Sequence, residues 1–153
     1  AEDALYFLPY GAMVDEFQHI VYSNPGLTPA QRNAEWARLE KEYRPWLDFE
    51  GLPFYGRGAG WQRQLHIYEY AFYYIDYCLA QTVALQFFTA WLADKADAWR
   101  RYLALVGRAG TETYPGLVAA AGFASPFSPG TMKAVAEKVG EWVGQQDAAL
   151  REA

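Results

Sequence analysis

The stretch from Gln62 to Ala93, which contains neither Gly nor Pro, is the feature that most constrains the fold of this chain. Since Gly and Pro are the residues that most often end helices, the stretch predicts one long helix or two nearly collinear ones. No alternation of polar and apolar residues typical of strands persists anywhere. The sequence therefore predicts an all-α fold in which more than half of the residues are helical, and the longest helix contains Tyr70 through Phe88.

Two helices are expected before this stretch. The first runs from about Ala4 to Tyr22. The second has a clear start signal, with Thr28 as N-cap, Pro29 at the first helical position and Gln31 completing a capping box. It should end near Arg44.

The remaining elements follow from turn residues. The glycine- and proline-containing segment 46–60 predicts an irregular connection. Helices are expected at about Lys95–Val106 and Tyr114–Ala121, and Ser128 and Pro129 should open the last helix by the same cap-then-proline pattern. We find no repeat and no low-complexity linker, so residues 1–153 are predicted to form a single helical domain, a bundle of about five to six helices.

Composition excludes several classes of function. The 13 basic and 18 acidic residues give a net charge of −5, and the basic residues form no stripe, so nucleic acid is not an expected partner. No apolar run reaches the roughly 18 residues of a membrane span, and no secretory signal is present, so no membrane partner is expected. A lone cysteine, Cys78, fits a reducing compartment, and we expect a cytoplasmic protein.

The histidines and the cysteine offer little metal or nucleophile chemistry. His19 ends a Glu-x-x-His and His66 begins a His-x-x-Glu, a pattern that in paired form holds two metal ions in helical bundles. Here the second copy is reversed, so a di-metal carboxylate bundle stays only an alternative and no metal ligand is assigned. Cys78 should be a buried thiol rather than a nucleophile. The glycine run 56–60 lacks the strand and Lys-Ser/Thr of a phosphate site and predicts a flexible loop.

A tyrosine cluster is the strongest candidate site, since five of the twelve tyrosines fall within residues 68–77. At about 100° per residue, one arc roughly 100° wide would hold a histidine and four tyrosines, while Tyr68, Phe72, Ile75 and Leu79 would lie opposite. Uncharged hydroxyl donors suit peptide carbonyls and developing oxyanions. The alternative is that these tyrosines are core residues bonded to nearby backbone. The five candidates are His66, Tyr70, Tyr73, Tyr74 and Tyr77.

Several segments resemble the C-terminal region of oligoendopeptidase F-like zinc metallopeptidases of the thimet oligopeptidase family. They are residues 8–10 (LPY), 14–19 (VDEFQH), 21–25 (VYSNP), 61–70 (WQRQLHIYEY), 72–77 (FYYIDY), 79–81 (LAQ) and 125–127 (SPF). The resemblance covers nearly the whole chain, with its motifs in the family's order. It implies a helical, clam-shaped peptidase that encloses short peptides, with zinc held by motifs upstream of this region.

The resemblance also implies roles for individual residues. His66, Tyr70 and Tyr77 match positions that contact the substrate and the tetrahedral intermediate, and are expected to be catalytic. Tyr73 matches one branch of the family and Tyr74 the other, so both are expected to bind substrate and the choice between them stays open. In the complete enzyme a zinc-bound water would attack the peptide carbonyl, with an upstream glutamate as base.

The sequence therefore predicts the C-terminal part of a zinc-dependent oligoendopeptidase. This chain would supply substrate and transition-state contacts, bind no zinc itself, be inactive alone and need the missing N-terminal catalytic part as a partner. The strongly apolar first residues agree with a chain cut from a longer one. The alternative is a stand-alone helical module that binds peptides without catalysis.

Overall fold

A computed structural model describes residues 2–152, and these are 69% helical and contain no strand. The all-α prediction is confirmed, with seven α-helices rather than five to six. None of the helices in this range has the length and apolar character needed to cross a membrane. The elements are α1 (Glu2–Ser23), α2 (Pro29–Tyr43), a 3₁₀ turn (Gly60–Arg63), α3 (His66–Glu69), α4 (Ile75–Ala93), α5 (Lys95–Val106), α6 (Tyr114–Ala120) and α7 (Thr131–Glu152).

The chain divides into two compact units. One comprises Ala4–Cys78, and the other is formed by the chain from Leu79 onward together with the first residues of α1. The single domain over residues 1–153 stays a prediction.

The start of α2 matches the sequence prediction. The Thr28 side chain accepts a hydrogen bond from the Gln31 N–H, and the Gln31 side chain accepts one from the Thr28 N–H at 2.9 Å. Pro29 occupies the first helical position, where its missing N–H costs nothing. The helix ends at Tyr43, one residue before the predicted Arg44. Local capping chemistry alone was enough to place this helix.

The prediction that the longest helix contains Tyr70 through Phe88 is wrong, because the chain over residues 62–93 is not one continuous helix. The chain forms the 3₁₀ turn, the single turn α3 and a non-helical segment at 70–74 before α4 begins. Phe72 has a φ of 62°, in the left-handed region that a residue with a Cβ rarely adopts. The buried side chain of Gln18 accepts the Phe72 N–H at 2.8 Å, and the Phe72 ring packs on His19 and Tyr22. The longest helices are instead α1 and α7, with 22 residues each.

Aromatic side chains dominate the core of the first unit. Phe17 meets Trp36 edge to face with ring centroids 5.0 Å apart. The indole nitrogens are satisfied, since Trp36 donates to Glu40 at 2.9 Å and Trp61 donates to Asn33 at 2.8 Å. Buried tryptophan is therefore tolerated here without an unpaired donor. The buried core comprises Met13, Val14, Phe17, Trp36, Leu39, Trp61 and Ile67.

The glycine run 56–60 is packed rather than flexible. Gly58 has a φ of +73°, and a Cβ at this position would lie 2.1 Å from the Asn33 carbonyl oxygen of α2. Gly58, Ala59 and Gly60 are all buried. The glycines therefore allow close approach to α2, which a pattern of glycine spacing does not distinguish from a mobile loop.

Two contacts organise the second unit. The Gln86 side chain on α4 grips the backbone of Ala124, donating to its carbonyl at 2.9 Å and accepting its N–H at 3.0 Å. Phe87 and Phe123 meet edge to face 4.4 Å apart. The loop between α6 and α7 is thereby held against α4.

The last helix begins later than predicted. α7 starts at Thr131, because Ser128 to Gly130 form a turn in which the Thr131 N–H bonds to the Ser128 carbonyl at 3.2 Å. Gly130, with a φ of +83°, closes that turn. Val135 and Val139 are buried, as the apolar face of this helix predicts.

Gly11 on α1 provides a test of the packing around the start of α4. A Cβ at Gly11 would lie 2.1 Å from the Cys78 Sγ, while every other neighbour is at least 3.6 Å away. We expect Gly11→Ala to lower the free energy of unfolding by about 1–3 kcal/mol, as overpacked cores do, measured by urea denaturation.

The double variant Gly11→Ala, Cys78→Ala removes the obstructing sulfur and should recover part of this loss. Gly140→Ala is the matched control, since Gly140 also lies inside a helix and a Cβ added there would have no neighbour within 4 Å. It should stabilise the chain by up to about 1 kcal/mol. A Gly11→Ala variant as stable as Gly140→Ala would contradict this packing.

Candidate functional site

The five predicted site residues lie together. The ring centroid of His66 is 4.9 Å from that of Tyr74, 5.7 Å from Tyr77, 6.1 Å from Tyr70 and 6.5 Å from Tyr73. Tyr77 in turn meets both Tyr73 and Tyr74 edge to face at 5.6 Å. We call these five residues the His66 cluster. Its members are brought together by the fold, while their roles stay predictions.

The sequence predicted that the cluster lies on one face of one helix. This prediction is wrong. His66 is the first residue of α3, and Tyr70 is the C-cap that follows it. Tyr77 lies in the first turn of α4. The turn at Phe72 folds the chain back so that both helices contribute to the same site. Tyr68 points elsewhere, with its ring stacked on Trp61 at 5.9 Å.

The hydroxyls of the four cluster tyrosines differ from those of other tyrosines in the chain. Within residues 2–152, the hydroxyls of Tyr70, Tyr73, Tyr74 and Tyr77 make no hydrogen bond, and Tyr70, Tyr73 and Tyr77 are 57%, 50% and 44% exposed. The alternative of core tyrosines bonded to backbone does not describe them. Four tyrosines elsewhere do donate to the chain: Tyr10 to Gln64, Tyr22 to the Ile67 carbonyl, Tyr43 to Glu16 and Tyr114 to the Leu79 carbonyl.

His66 is held from one side by a row of hydrogen bonds. The Tyr10 hydroxyl donates to the Gln64 Oε1 at 2.8 Å, and the Gln64 Nε2 lies 2.8 Å from the His66 Nδ1. His66 is half-buried, and its Nε2 has no hydrogen-bond partner in the described chain. The imidazole is therefore anchored through Nδ1 and open at Nε2.

Tyr73 and Tyr74 have different environments. Tyr74 is half-buried, with its ring 5.9 Å from those of Phe7 and Tyr10. Burial, with smaller effects of Cys78 and Tyr77, raises the pKa of Tyr74. Tyr73 is half exposed, and its ring meets those of His66 and Tyr77. Of the two, Tyr73 is the more accessible to a ligand.

The residues of the described chain do not fit a metal ion. No three His, Cys, Asp or Glu side chains within residues 2–152 lie close enough to share one. The His19 Nε2 is 3.5 Å from Asp15, and Glu16 accepts the Tyr43 hydroxyl instead of pairing with His19. The reversed Glu-x-x-His pair therefore has no shared ligand set in this fold.

Cys78 is buried beside the cluster and has the properties of an inert thiol. Burial, with a smaller effect of Asp15, raises the pKa of Cys78 from its ordinary value near 9 to about 11. Since the thiolate is the reactive form, a thiol with this pKa is a poor nucleophile near neutral pH. The prediction of a buried structural cysteine agrees with this geometry.

Three residues that shape the site were not identified from the sequence. Gln18 holds the turn at Phe72, while Gln64 and Tyr10 hold His66. Gln64 stands two residues before His66 within the motif 61–70, and this proximity was the only available signal. No periodic pattern marks Gln18 or Tyr10, because their partners are 54 residues away.

Solved structures of similar proteins include PZ peptidase A with an inhibitor, which is 45% identical with a TM-score of 0.87. The match covers 94% of this chain and 25% of the PZ peptidase A chain. A structure assigned to oligoendopeptidase F is 47% identical with a TM-score of 0.87, covering 93% of this chain and 25% of that one. One assigned to oligoendopeptidase F from Bacillus anthracis strain Ames is 36% identical with a TM-score of 0.73, covering 94% and 22%.

This chain thus spans about a quarter of the length of each of these peptidases. That share agrees with the prediction that it corresponds to a part of a larger peptidase. No family model matches the chain. No curated protein matches it either.

The raised pKa of Cys78 predicts slow alkylation of the folded chain. At pH 8 the folded thiol, with a pKa of about 11 against about 9 when unfolded, should react with iodoacetamide at least about a hundred times more slowly than in urea. The rate should rise with pH until about 11. Equal rates for folded and unfolded chain at pH 8, followed by mass spectrometry, would contradict the burial of this thiol.

Proposed function

We propose that this chain supplies peptide-binding side chains to a peptidase of the oligoendopeptidase F type, because 93% of it is similar to about a quarter of a structure assigned to oligoendopeptidase F. The complete protein would hydrolyse short peptides. The remaining catalytic groups would come from an N-terminal part that acts as the partner of this segment.

One observation carries this proposal: the His66 cluster presents hydroxyls that the described chain does not use. Three of its tyrosines are 44–57% exposed, and none of its four phenols bonds within residues 2–152. A phenol donates a hydrogen bond without carrying charge, so several of them can approach one carbonyl without repelling each other. Such donors stabilise charge that develops on a carbonyl oxygen during acyl transfer.

We assign the roles from accessibility. His66, Tyr70 and Tyr77 are the catalytic candidates, acting as donors to the peptide carbonyl and to the oxyanion formed from it. Tyr73 is the better candidate for substrate binding, because it is half exposed. Tyr74 packs on Phe7 and Tyr10, so its role is to support the cluster.

Zinc would be held outside this chain. The described residues offer no ligand set, and His66 already uses Nδ1 toward Gln64. When bound to the complete protein, zinc would supply activated water for peptide hydrolysis. The residues of this chain would orient the peptide and stabilise charge on its carbonyl oxygen.

A helical module that binds peptides without hydrolysing them is the second candidate. The same free phenols support it, because gripping a peptide carbonyl needs the same donors as stabilising an oxyanion. The two differ in when the hydrogen bond matters: a binding module uses it in the ground state, and a peptidase uses it in the transition state.

Single substitutions in the complete peptidase separate these roles. Tyr70→Phe and Tyr77→Phe keep the ring and remove the donor, so each should lower kcat and kcat/KM together by on the order of 10²–10³, with KM almost unchanged. Steady-state kinetics with an internally quenched peptide measures this. Tyr68→Phe is the matched control, since Tyr68 is equally exposed but stacks on Trp61 outside the cluster.

Two outcomes would count against the catalytic role. A rise in KM with unchanged kcat would indicate ground-state binding only. If Tyr68→Phe slowed the reaction as much as the cluster variants, the position of the site would be wrong.

The isolated chain provides a simpler test. We expect it neither to hydrolyse an internally quenched peptide nor to bind zinc tightly, because a catalytic zinc site usually needs three protein ligands. The measurements are peptide cleavage with added zinc and metal analysis of the purified chain. Metal-dependent turnover proportional to chain concentration would refute the proposal that the metal centre lies elsewhere.

A further inference from the structure

Tyr10, Gln64 and His66 form a continuous row of hydrogen bonds that ends at the open face of the His66 cluster. We infer that Gln64, oriented by Tyr10, is a positioning residue that holds His66 in the tautomer with its proton on Nε2. His66 then presents an N–H donor to a bound peptide. The structural half of this inference, the tautomer of His66, is argued from the geometry. Its catalytic half, the use of the Nε2 proton in catalysis, rests on the proposed function.

The amide of Gln64 makes the row directional. Its Oε1 can only accept and its Nε2 can only donate. The Tyr10 hydroxyl donates to Oε1 at 2.8 Å, which leaves Nε2 facing the His66 Nδ1 at 2.8 Å. A donor at this distance requires a lone pair on Nδ1. In the neutral imidazole the proton must then be on Nε2.

The reversed amide is disfavoured by the surroundings of Tyr10. If Gln64 were rotated, its Nε2 would donate to the Tyr10 oxygen, and the phenol proton would need another acceptor. The Tyr10 hydroxyl makes no other hydrogen bond within residues 2–152. The groups over its ring are Arg44, which has no acceptor, and the rings of Trp36 and Tyr74.

The nearby carboxylate of Glu40 is already engaged. Its oxygens accept from the Trp36 indole at 2.9 Å and from Arg44. Gln64 is the one acceptor that the Tyr10 hydroxyl has within residues 2–152, so the reversed row would cost the hydroxyl that bond. Tyr10 on α1 therefore decides the orientation of Gln64, and Gln64 decides the tautomer of His66.

The tautomer matters for what the cluster can bind. With the proton on Nε2, the open nitrogen of His66 is a neutral donor among the free phenols of Tyr70, Tyr73 and Tyr77. With the proton on Nδ1, the same nitrogen would present a lone pair, which repels a carbonyl oxygen. Only the first arrangement makes His66 a donor alongside these three phenols.

Nitrogen chemical shifts of the imidazole, measured by NMR on the chain labelled with ¹⁵N-histidine, test the structural half. His19→Gln leaves His66 as the only histidine, so its signals need no further assignment. For the neutral imidazole we expect a protonated Nε2 and a lone pair on Nδ1. A wild-type His66 with its proton on Nδ1, or an equal mixture of tautomers, would overturn the inference.

The substitution Gln64→Glu should reverse the tautomer. A carboxylate only accepts hydrogen bonds, so it can still accept one from the Tyr10 hydroxyl. It can bond to the His66 Nδ1 only if that nitrogen carries a proton. Gln64→Met removes both polar atoms and should give mixed tautomers with similar volume. Circular dichroism establishes that both variants are folded. If Gln64→Glu is folded and His66 keeps its proton on Nε2 alone, Gln64 does not set the tautomer.

The complete peptidase tests the catalytic half. Gln64→Glu should lower kcat by on the order of 10², the effect of losing one donor to an oxyanion, with a smaller change in KM. If the NMR result is as expected but kcat is unaffected, His66 does not donate to the reacting oxygen. The catalytic half then fails, while the positioning of His66 by Gln64 stands. If Tyr70→Phe and Tyr77→Phe are also without effect, the proposed function itself fails.

Discussion

The hydrogen bond from the Phe72 N–H to the Gln18 side chain is the interaction on which the site depends. It holds a residue with a Cβ at a φ of 62°, a conformation that costs of order 1–3 kcal/mol when nothing compensates for it. Because Gln18 is fully buried, the alternative to this bond is an unpaired amide in the core. The turn breaks what would otherwise be a continuous helix, and the break lets α3 and α4 share one cluster.

Prediction from sequence succeeded where the determining contacts are local. The Thr28 capping box and the bounds of α5, Lys95–Val106, depend on residues within a few positions of each other. It failed at Phe72, because the acceptor that stabilises the turn is 54 residues away. The five residues of the His66 cluster nevertheless lie together, since residues so close in sequence can meet around either a helix or a turn.

Whether a tyrosine hydroxyl is bonded within the chain also depends on contacts that are distant in sequence. Tyr10 and Tyr22 use their hydroxyls to hold the structure, donating to Gln64 before α3 and to the Ile67 carbonyl within it. Composition alone counts them together with the cluster tyrosines. The distinction needs the fold, because it depends on whether an acceptor lies within reach of each phenol. Where no acceptor lies within reach, the hydroxyl makes no hydrogen bond within the described residues.

Helix α1 carries both residues that hold the segment around the site. Tyr10 and Gln18 are eight residues apart on this helix, a rise of about 12 Å, and they hold Gln64 before α3 and Phe72 after it. A single rigid element thus fixes the two ends of the segment that carries His66 and Tyr70. Gly11, between them, lets α1 approach the start of α4 at Cys78. The geometry of the cluster is therefore a property of how α1 packs, although α1 contributes no residue to it.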